Sequence, residues 1–199
     1  QTMTRAWDFG DGGTSTDESP AHTYAADGSF TVQVTVTDSA GGSSSASTVV
    51  TVDNASPVIQ SLDGDLSGET NATLSFQGVA TDPGGDPLPY AWDWGDGNPP
   101  ESGSALSSHT HIFTAAGVYL VTWIVTDDQG AATQQALSVE VNAPPVLDTI
   151  NFSPTTPDEA ESITFVMLAT DPEGQTMTRA WDFGDGGTST DESPAHTYA

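Results

Sequence analysis

A six-residue stretch returns three times in this chain: Trp7-Asp8-Phe9-Gly10-Asp11-Gly12, Trp92-Asp93-Trp94-Gly95-Asp96-Gly97 and Trp181-Asp182-Phe183-Gly184-Asp185-Gly186. Aromatics two residues apart share one face of a strand. The Asp-Gly step supplies the positive-φ residue that a tight turn needs. Each copy therefore reads as a buried strand running into a turn. After the first two copies come a polar loop, a His, an aromatic, a Gly and an alternating strand. Repetition on this scale decides the architecture before any local propensity does.

Trp7 to Trp92 spans 85 residues and Trp92 to Trp181 spans 89, or 174 together. At that offset Gln175–Ala199 repeats Gln1–Ala25 letter for letter. The chain is thus one period of a two-domain repeat plus the start of the next. Residues 1–54 read as the later part of a type-A domain, 55–142 as a complete type-B domain, and 143–199 as the first part of another type-A domain. The phase of the ends predicts a longer array; the alternative is a cloning or proteolytic fragment.

Strands are legible from period-two alternation. Phe30–Thr37 and Ser47–Asp53 are expected in the first segment. Val58–Leu62, Thr73–Ala80, Tyr90–Asp93, His111–Phe113, Tyr119–Thr126 and Ala136–Val141 are expected in the second, and Val146–Phe152 and Ser162–Ala169 in the third. About seven short strands per domain, turn clusters at regular spacing and no helical periodicity predict an all-β chain of tandem antiparallel β-sandwiches. Pro57 and the pair Pro144-Pro145 stiffen short linkers.

Charge narrows the functional classes. There are 28 acidic residues against two Arg (Arg5 and Arg179, the same repeat position) and no Lys. Nucleic-acid binding is excluded, because phosphate contacts need Lys and Arg. Anionic lipid is disfavoured for the same reason, and no 18-residue apolar run offers a membrane-spanning helix. Such a polyanion calls for high salt, bound cations, or both. Cys is absent, so no disulfide braces the fold.

The motif set resembles the polycystic kidney disease (PKD) domain over essentially the whole chain. Type A carries WDFGDG, His22-Thr23-Tyr24, Gly28-Ser29-Phe30 and Val36-Thr37-Asp38. Type B carries Trp92–Gly97, His111-Ile112-Phe113, Gly117-Val118-Tyr119 and Val125-Thr126-Asp127. It departs by Phe113 in place of Tyr and by four extra residues between Trp and His. The resemblance implies an immunoglobulin-like sandwich of extracellular proteins, used in surface-layer and stalk arrays, adhesins and accessory modules of secreted hydrolases. It implies no catalysis, and some relatives bind calcium at the linker pole.

In a sandwich of this kind the N-terminal linker and the loops after the second and sixth strands meet at one pole. In type B those segments hold Asn54, Asp82 with Asp86, and Asp127 with Asp128. In type A they hold Asn142, Asp171 with Glu173, and an aspartate equivalent to Asp38. Hard oxygen donors of this kind suit Ca²⁺; the plainer reading is Asx turns and solvated charge. The aspartates inside WDFGDG (Asp8, Asp11, Asp93, Asp96) are expected to accept backbone N–H groups. His22, His111 and His196 share one repeat position and are expected to tie strand to turn. His109 and His111 form an i, i+2 pair, too few ligands for a metal on their own. Asn71, in Asn-Ala-Thr, is the best glycosylation acceptor; Asn54 and Asn151 are compromised by a following Pro.

The leading expectation is a structural segment of a long secreted cell-surface protein, forming a stalk, sheath or filament with other copies of itself along or across it. The alternative is an adhesin or substrate-binding spacer with a carbohydrate or protein ligand. Carbohydrate binding calls for a row of exposed aromatics, whereas Trp7, Trp92, Trp123 and Trp181 are expected to be buried, leaving only Trp94 ambiguous.

Overall fold

The computed structural model describes residues 3–198, and all regular structure among them is β-strand. In chain order the strands are β1 (Thr4–Asp8), β2 (Thr14–Ser15), β3 (Gly28–Thr37), β4 (Ser43–Val52), β5 (Val58–Gly64), β6 (Ser67–Glu69), β7 (Thr73–Thr81), β8 (Tyr90–Asp93) and β9 (Glu101–Gly103). They continue with β10 (Ser108–Ile112), β11 (Gly117–Thr126), β12 (Ala132–Asn142), β13 (Val146–Ser153), β14 (Ser162–Thr170), β15 (Trp181–Asp182), β16 (Thr188–Ser189) and β17 (Ala195–Thr197). The sheets run β2-β1-β3-β4, β10-β7-β5, β6-β12-β11-β8-β9, β13-β14-β17 and β15-β16. The expected all-β, immunoglobulin-like organisation is present. No helix among the described residues is long and apolar enough to cross a membrane.

The strands fall into two compact units. One gathers the stretch up to Gly64 with Phe76–His109 and Val121–Leu137. In it β3 and β4 form a ten-pair hairpin from Gly28↔Val52 to Thr37↔Ser43, and β1 lies along β3 with Trp7 opposite Val34. The WDFGDG turn is built by its own aspartates. Asp8 Oδ1 accepts the Gly10 N–H and Asp11 Oδ1 the Gly13 N–H, both at 2.9 Å. Gly10 sits at φ +83°, and a Cβ there would lie 2.7 Å from the Thr31 carbonyl oxygen, so both conformation and space demand glycine.

The core of this unit is aromatic. Trp92 on β8 pairs with Trp123 on β11 and stacks on Trp94 at 5.3 Å. Phe76 on β7 lies 5.9 Å from Trp92 and 5.4 Å from Trp94. Each such ring covers roughly 150–250 Å² and stabilises by about 4–6 kcal/mol at ~25 cal/mol per Å², before ordering entropy. Gly78 makes room for this cluster, since a Cβ on it would stand 2.4 Å from the Trp123 ring.

The other unit gathers Asp65–Ser75, Thr110–Leu120 and the chain from Ser138 on. Here β6 runs parallel to the end of β12, Glu140 opposite Ser67. Leu74 fills the space beside Gly68, 2.5 Å from where a Cβ would be. Strand β14 carries Ile163, Phe165 and Met167 on one face. It pairs with β13 (Phe152↔Phe165) and with β17 (Ile163↔His196). Phe165 lies 6.1 Å from Trp181 and 5.4 Å from Phe183.

The structure corrects the expected burial of two tryptophans: Trp7 and Trp181 are half-buried rather than buried. Trp92 and Trp123, flanked by strands of both sheets of one sandwich, are 0 % exposed. Trp7 lies opposite Val34 of β3 and lines a groove with Ala46 of β4, and Trp181 packs 6.1 Å from Phe165 of β14. Trp94, ambiguous by sequence, is buried. The strand expected at His111–Phe113 is the end of β10, and the short β6 and β9 have no sequence signal.

Candidate functional site

Asp127 heads the turn between β11 and β12. Its Oδ1 accepts the N–H groups of Gln129 (3.0 Å) and Ala131 (2.8 Å), and its Oδ2 accepts Nδ2 of Asn54 at 2.7 Å. Asp127 is 3 % exposed. The Asn54 amide, with these backbone donors, holds its carboxyl below the usual carboxylate range against the opposing effect of burial. The turn after β11 is thereby tied to the linker that enters the domain. Asp38 builds the same turn after β3, accepting Ala40 N–H at 2.8 Å and Gly42 N–H at 2.9 Å. Its local sequence suffices for that.

The loop after β7 joins the same pole. Asp82 Oδ1 accepts Gly84 N–H at 2.7 Å, while Oδ2 of Asp82 and Oδ2 of Asp86 are both buried without a hydrogen-bond partner. Burial, then the charges of Asp128, Asp82, Asp27 and Asp127, push the Asp86 carboxyl upward. Asp27, from the turn before β3, also accepts Nε2 of Gln129 at 3.1 Å. Five carboxylates thus share one electrostatic neighbourhood. Among the described residues, no group of three or more His, Asp or Glu side chains is already arranged to hold a metal ion.

The second linker is built differently. Asn142 donates its amide to Glu69 at 3.2 and 3.4 Å, and its Oδ1 is buried without a partner. Glu173 accepts Ala143 N–H at 3.2 Å, and Asp171 Oδ1 accepts the N–H groups of Glu173 (3.1 Å) and Gln175 (2.8 Å). Gln175 stands at the repeat position of Asp86, so this pole carries less charge.

Sequence reasoning missed Asp27, Gln129 and Glu69. Asp27 had a faint signal: its repeat equivalent 89 residues on is Ala116, so the acid belongs to type A alone. His22, His196 and the motif aspartates behave as expected. His22 Nε2 meets Asp11 Oδ2 at 2.7 Å and stacks on Phe9 at 4.1 Å; His196 repeats this with Asp185 at 2.7 Å and Phe183 at 4.2 Å. The His22 hydrogen bond lowers the Asp11 carboxyl; at Asp185 the Gly187 N–H leads and His196 follows. In type B, His109 binds Glu101 and lies 5.6 Å from Trp94, while His111 packs edge-on to Phe113 at 4.7 Å. Asn71 occupies a turn at φ +66° with an exposed side chain.

Parts of this chain are similar to known proteins. A family model described as PKD domain matches residues 1–52, 54–141 and 142–199. Collagenase ColA of Bacillus cereus is 52 % identical over 46 residues, 23 % of this chain and 5 % of the relative. Pre-pro-metalloprotease PrtV of Vibrio cholerae is 29 % identical over 135 residues, 68 % of this chain and 14 % of the relative. The chain therefore spans only a small part of these relatives. Among solved structures, the PKD domain of an M14-like peptidase from a Thermoplasmatales archaeon is 25 % identical with a TM-score of 0.39, covering 45 % of this chain and 98 % of that one. The PKD1 domain of Vibrio anguillarum Epp is 29 % identical with a TM-score of 0.36, covering 46 % and 100 %.

Proposed function

The chain belongs to the PKD domain family, and from that premise we propose that it is a structural, non-catalytic repeat segment of a long secreted cell-surface protein, forming a stalk, sheath or filament. The observation that carries this reading is the 174-residue repeat, in which residues 175–199 reproduce residues 1–25 without a change. Identity at that level suits regular packing of like modules and serves no evident purpose in a lone spacer. The Asn54–Asp127 and Gln129–Asp27 contacts support it, because they tie a linker and the preceding turn to one domain pole.

Calcium at that pole belongs to the proposal. Asp82, Asp86 and Asp128, with Asp27 beside them, offer hard anionic oxygens, and two of those oxygens are buried without partners. A divalent cation would neutralise the repulsion that raises Asp86. It would need further oxygen donors or side-chain turns to complete its shell. Asp127 is already committed to its hydrogen bonds. At the second linker the partnerless Asn142 Oδ1, Asp171 and Glu173 make a less charged set, expected to bind more weakly. An exposed Asn71 is the proposed glycan acceptor.

A second reading, a substrate-binding spacer of a secreted protease, draws on the relatives named collagenase and metalloprotease. Electron microscopy of native material, with and without a chelator, separates the two. Uniform fibres with an axial repeat of two domains support the structural reading, and fraying on chelation supports the cation. Beaded strings on a larger head would overturn it in favour of the spacer.

A further inference from the structure

Strand β11 has two faces, and the outer one changes character between the two domain types. Val121, Trp123 and Val125 point to the core and are 0 % exposed. Val118, Leu120, Thr122 and Ile124 alternate with them and point outward. Val118 and Leu120 are 72 % and 62 % exposed. Eighty-nine residues earlier, the outer face of β3 carries Ser29, Thr31, Gln33 and Thr35 at the same positions. Strand formation does not demand apolar residues there, since β3 keeps its ten-pair ladder without them. The core does not demand them either, because they face away from it. Burial against something outside the domain is the remaining physical reason for them.

Charge selects the occupant. The chain carries 28 acidic residues against two Arg. A cationic partner would seek those carboxylates, and the outer face of β11 has none. Two copies of this chain repel one another everywhere except at uncharged faces of this kind.

The stripe is also complementary to itself. Let two copies pack face to face, their β11 strands antiparallel about a two-fold axis at Val121. Val118 then meets Ile124, and the long Leu120 meets the short Thr122. The flanking strands agree. The β3–β4 register, carried over to β11 and β12, sets Glu140 beside Val118 and Gln134 beside Ile124. On β8, Asp93 sits opposite Thr122. The same two-fold places Glu140 over Gln134 and Asp93 over the turn at Gly95, so no carboxylate faces another. At about 3.4 Å per residue and 4.8 Å between strands, this five-stranded sheet presents roughly 500 Å². Two such faces bury about 1,000 Å², the threshold of a specific interface. A single contact is weak, and an array that offers it once per 174-residue period multiplies it.

We propose that the outer β11 face of the type-B domain docks on the same face of a second copy of this chain, the two strands antiparallel. The proposal deepens the structural reading and rests on it for the role of the contact, which is to join arrays side by side in a sheath or filament.

The chain has no Cys, so single cysteines report the contact in the full 199-residue protein. The probe is a bis-maleimide spanning about 10 Å, the distance between stacked sheets. Salt of about 1 M shortens the Debye length to about 3 Å and removes the long-range repulsion. Val118→Cys and Ile124→Cys chains should cross-link when mixed. Neither should cross-link alone, because the offset between like positions adds about 20 Å along the strand. Thr31→Cys, at the type-A counterpart of Leu120, should cross-link with neither. Leu120→Thr puts the type-A residue on an exposed site. It should leave the Tm unchanged and weaken self-association about tenfold in sedimentation velocity, since both copies lose the leucine. No cross-link in the mixture, equal cross-linking by either cysteine alone, reaction at Thr31→Cys, or association indifferent to Leu120→Thr would each overturn the proposal. Fibres seen by electron microscopy beside a failed cross-link would keep the filament and remove this face. Beaded strings beside a positive cross-link would do the reverse.

Discussion

Replacing Gly78 by Ala should destabilise the complete sandwich sharply. The new methyl would lie 2.4, 2.5 and 2.6 Å from three carbons of the Trp123 ring, where van der Waals contact wants about 3.5–4.0 Å. The ring has little room to yield. It is 0 % exposed, stacks on Tyr90 at 5.2 Å and meets Trp92 at 5.8 Å. Overpacking of this kind costs about 1–3 kcal/mol, and three simultaneous clashes place Gly78→Ala at about 3 kcal/mol. Gly78 lies within the extended strand β7, so lost unfolded-state freedom returns about 0.4–1 kcal/mol. A net loss of about 2 kcal/mol lowers the Tm of a domain of this size by roughly 10 °C. Urea and thermal unfolding followed by tryptophan fluorescence read this directly. The pair Gly78→Met with Trp123→Val then exchanges the two volumes, with the long side chain on β7 and the smaller one on β11. Trp123→Val alone should cost about 3–5 kcal/mol, and the double variant should recover at least ~1 kcal/mol relative to additivity. An unchanged Tm for Gly78→Ala, or strict additivity in the pair, would refute the volume argument.

Asp86→Asn should raise stability at neutral pH and low salt, because it removes a carboxylate held among like charges. The folded carboxyl titrates above its unfolded value, so the destabilisation is present above that raised pKa and disappears as pH falls through it; the variant's advantage should vanish in the same window, measured by Tm against pH. Asp11 is shifted the other way: its stabilisation is complete above the unfolded carboxylate pKa and is lost as pH falls through the lowered folded value. His22→Ala should return the Asp11 titration, followed by NMR, toward normal. Asn54→Ala should raise the Asp127 pKa, because its largest lowering influence is gone; an unmoved titration would discount the linker clamp. Iodide should quench Trp7 and Trp181 while leaving Trp92, Trp94 and Trp123 untouched, and saccharide-induced shifts of the buried three would contradict their enclosure.

The strands that carried strict alternation, β3, β7 and β11, were legible because period-two burial is written into sequence. The motif turns were legible because aspartate and glycine build them locally. At the linker pole Asn54 and Asp127 were legible as neighbours, through the shared topology of the loops. Asp27 and Gln129 were not, because their contact joins residues 102 apart and depends on how the turn before β3 meets the turn after β11. Strands β6 and β9, three residues each, had no pattern to read and exist through pairing with β12 and β8.

The sequence by itself determined the repeat, the fold class, the turns and the acidic character, since all of these depend on residue type at fixed local spacing. Tertiary structure alone decided which copy of an identical stretch becomes a strand. Ala195–Thr197 is β17, and residues 21–23 are not, although every residue matches. A strand end gains its hydrogen bonds from a neighbour, and β14 stands beside one copy only. The same holds for the tryptophans, whose burial is set by the sheet that faces them and not by the motif that contains them.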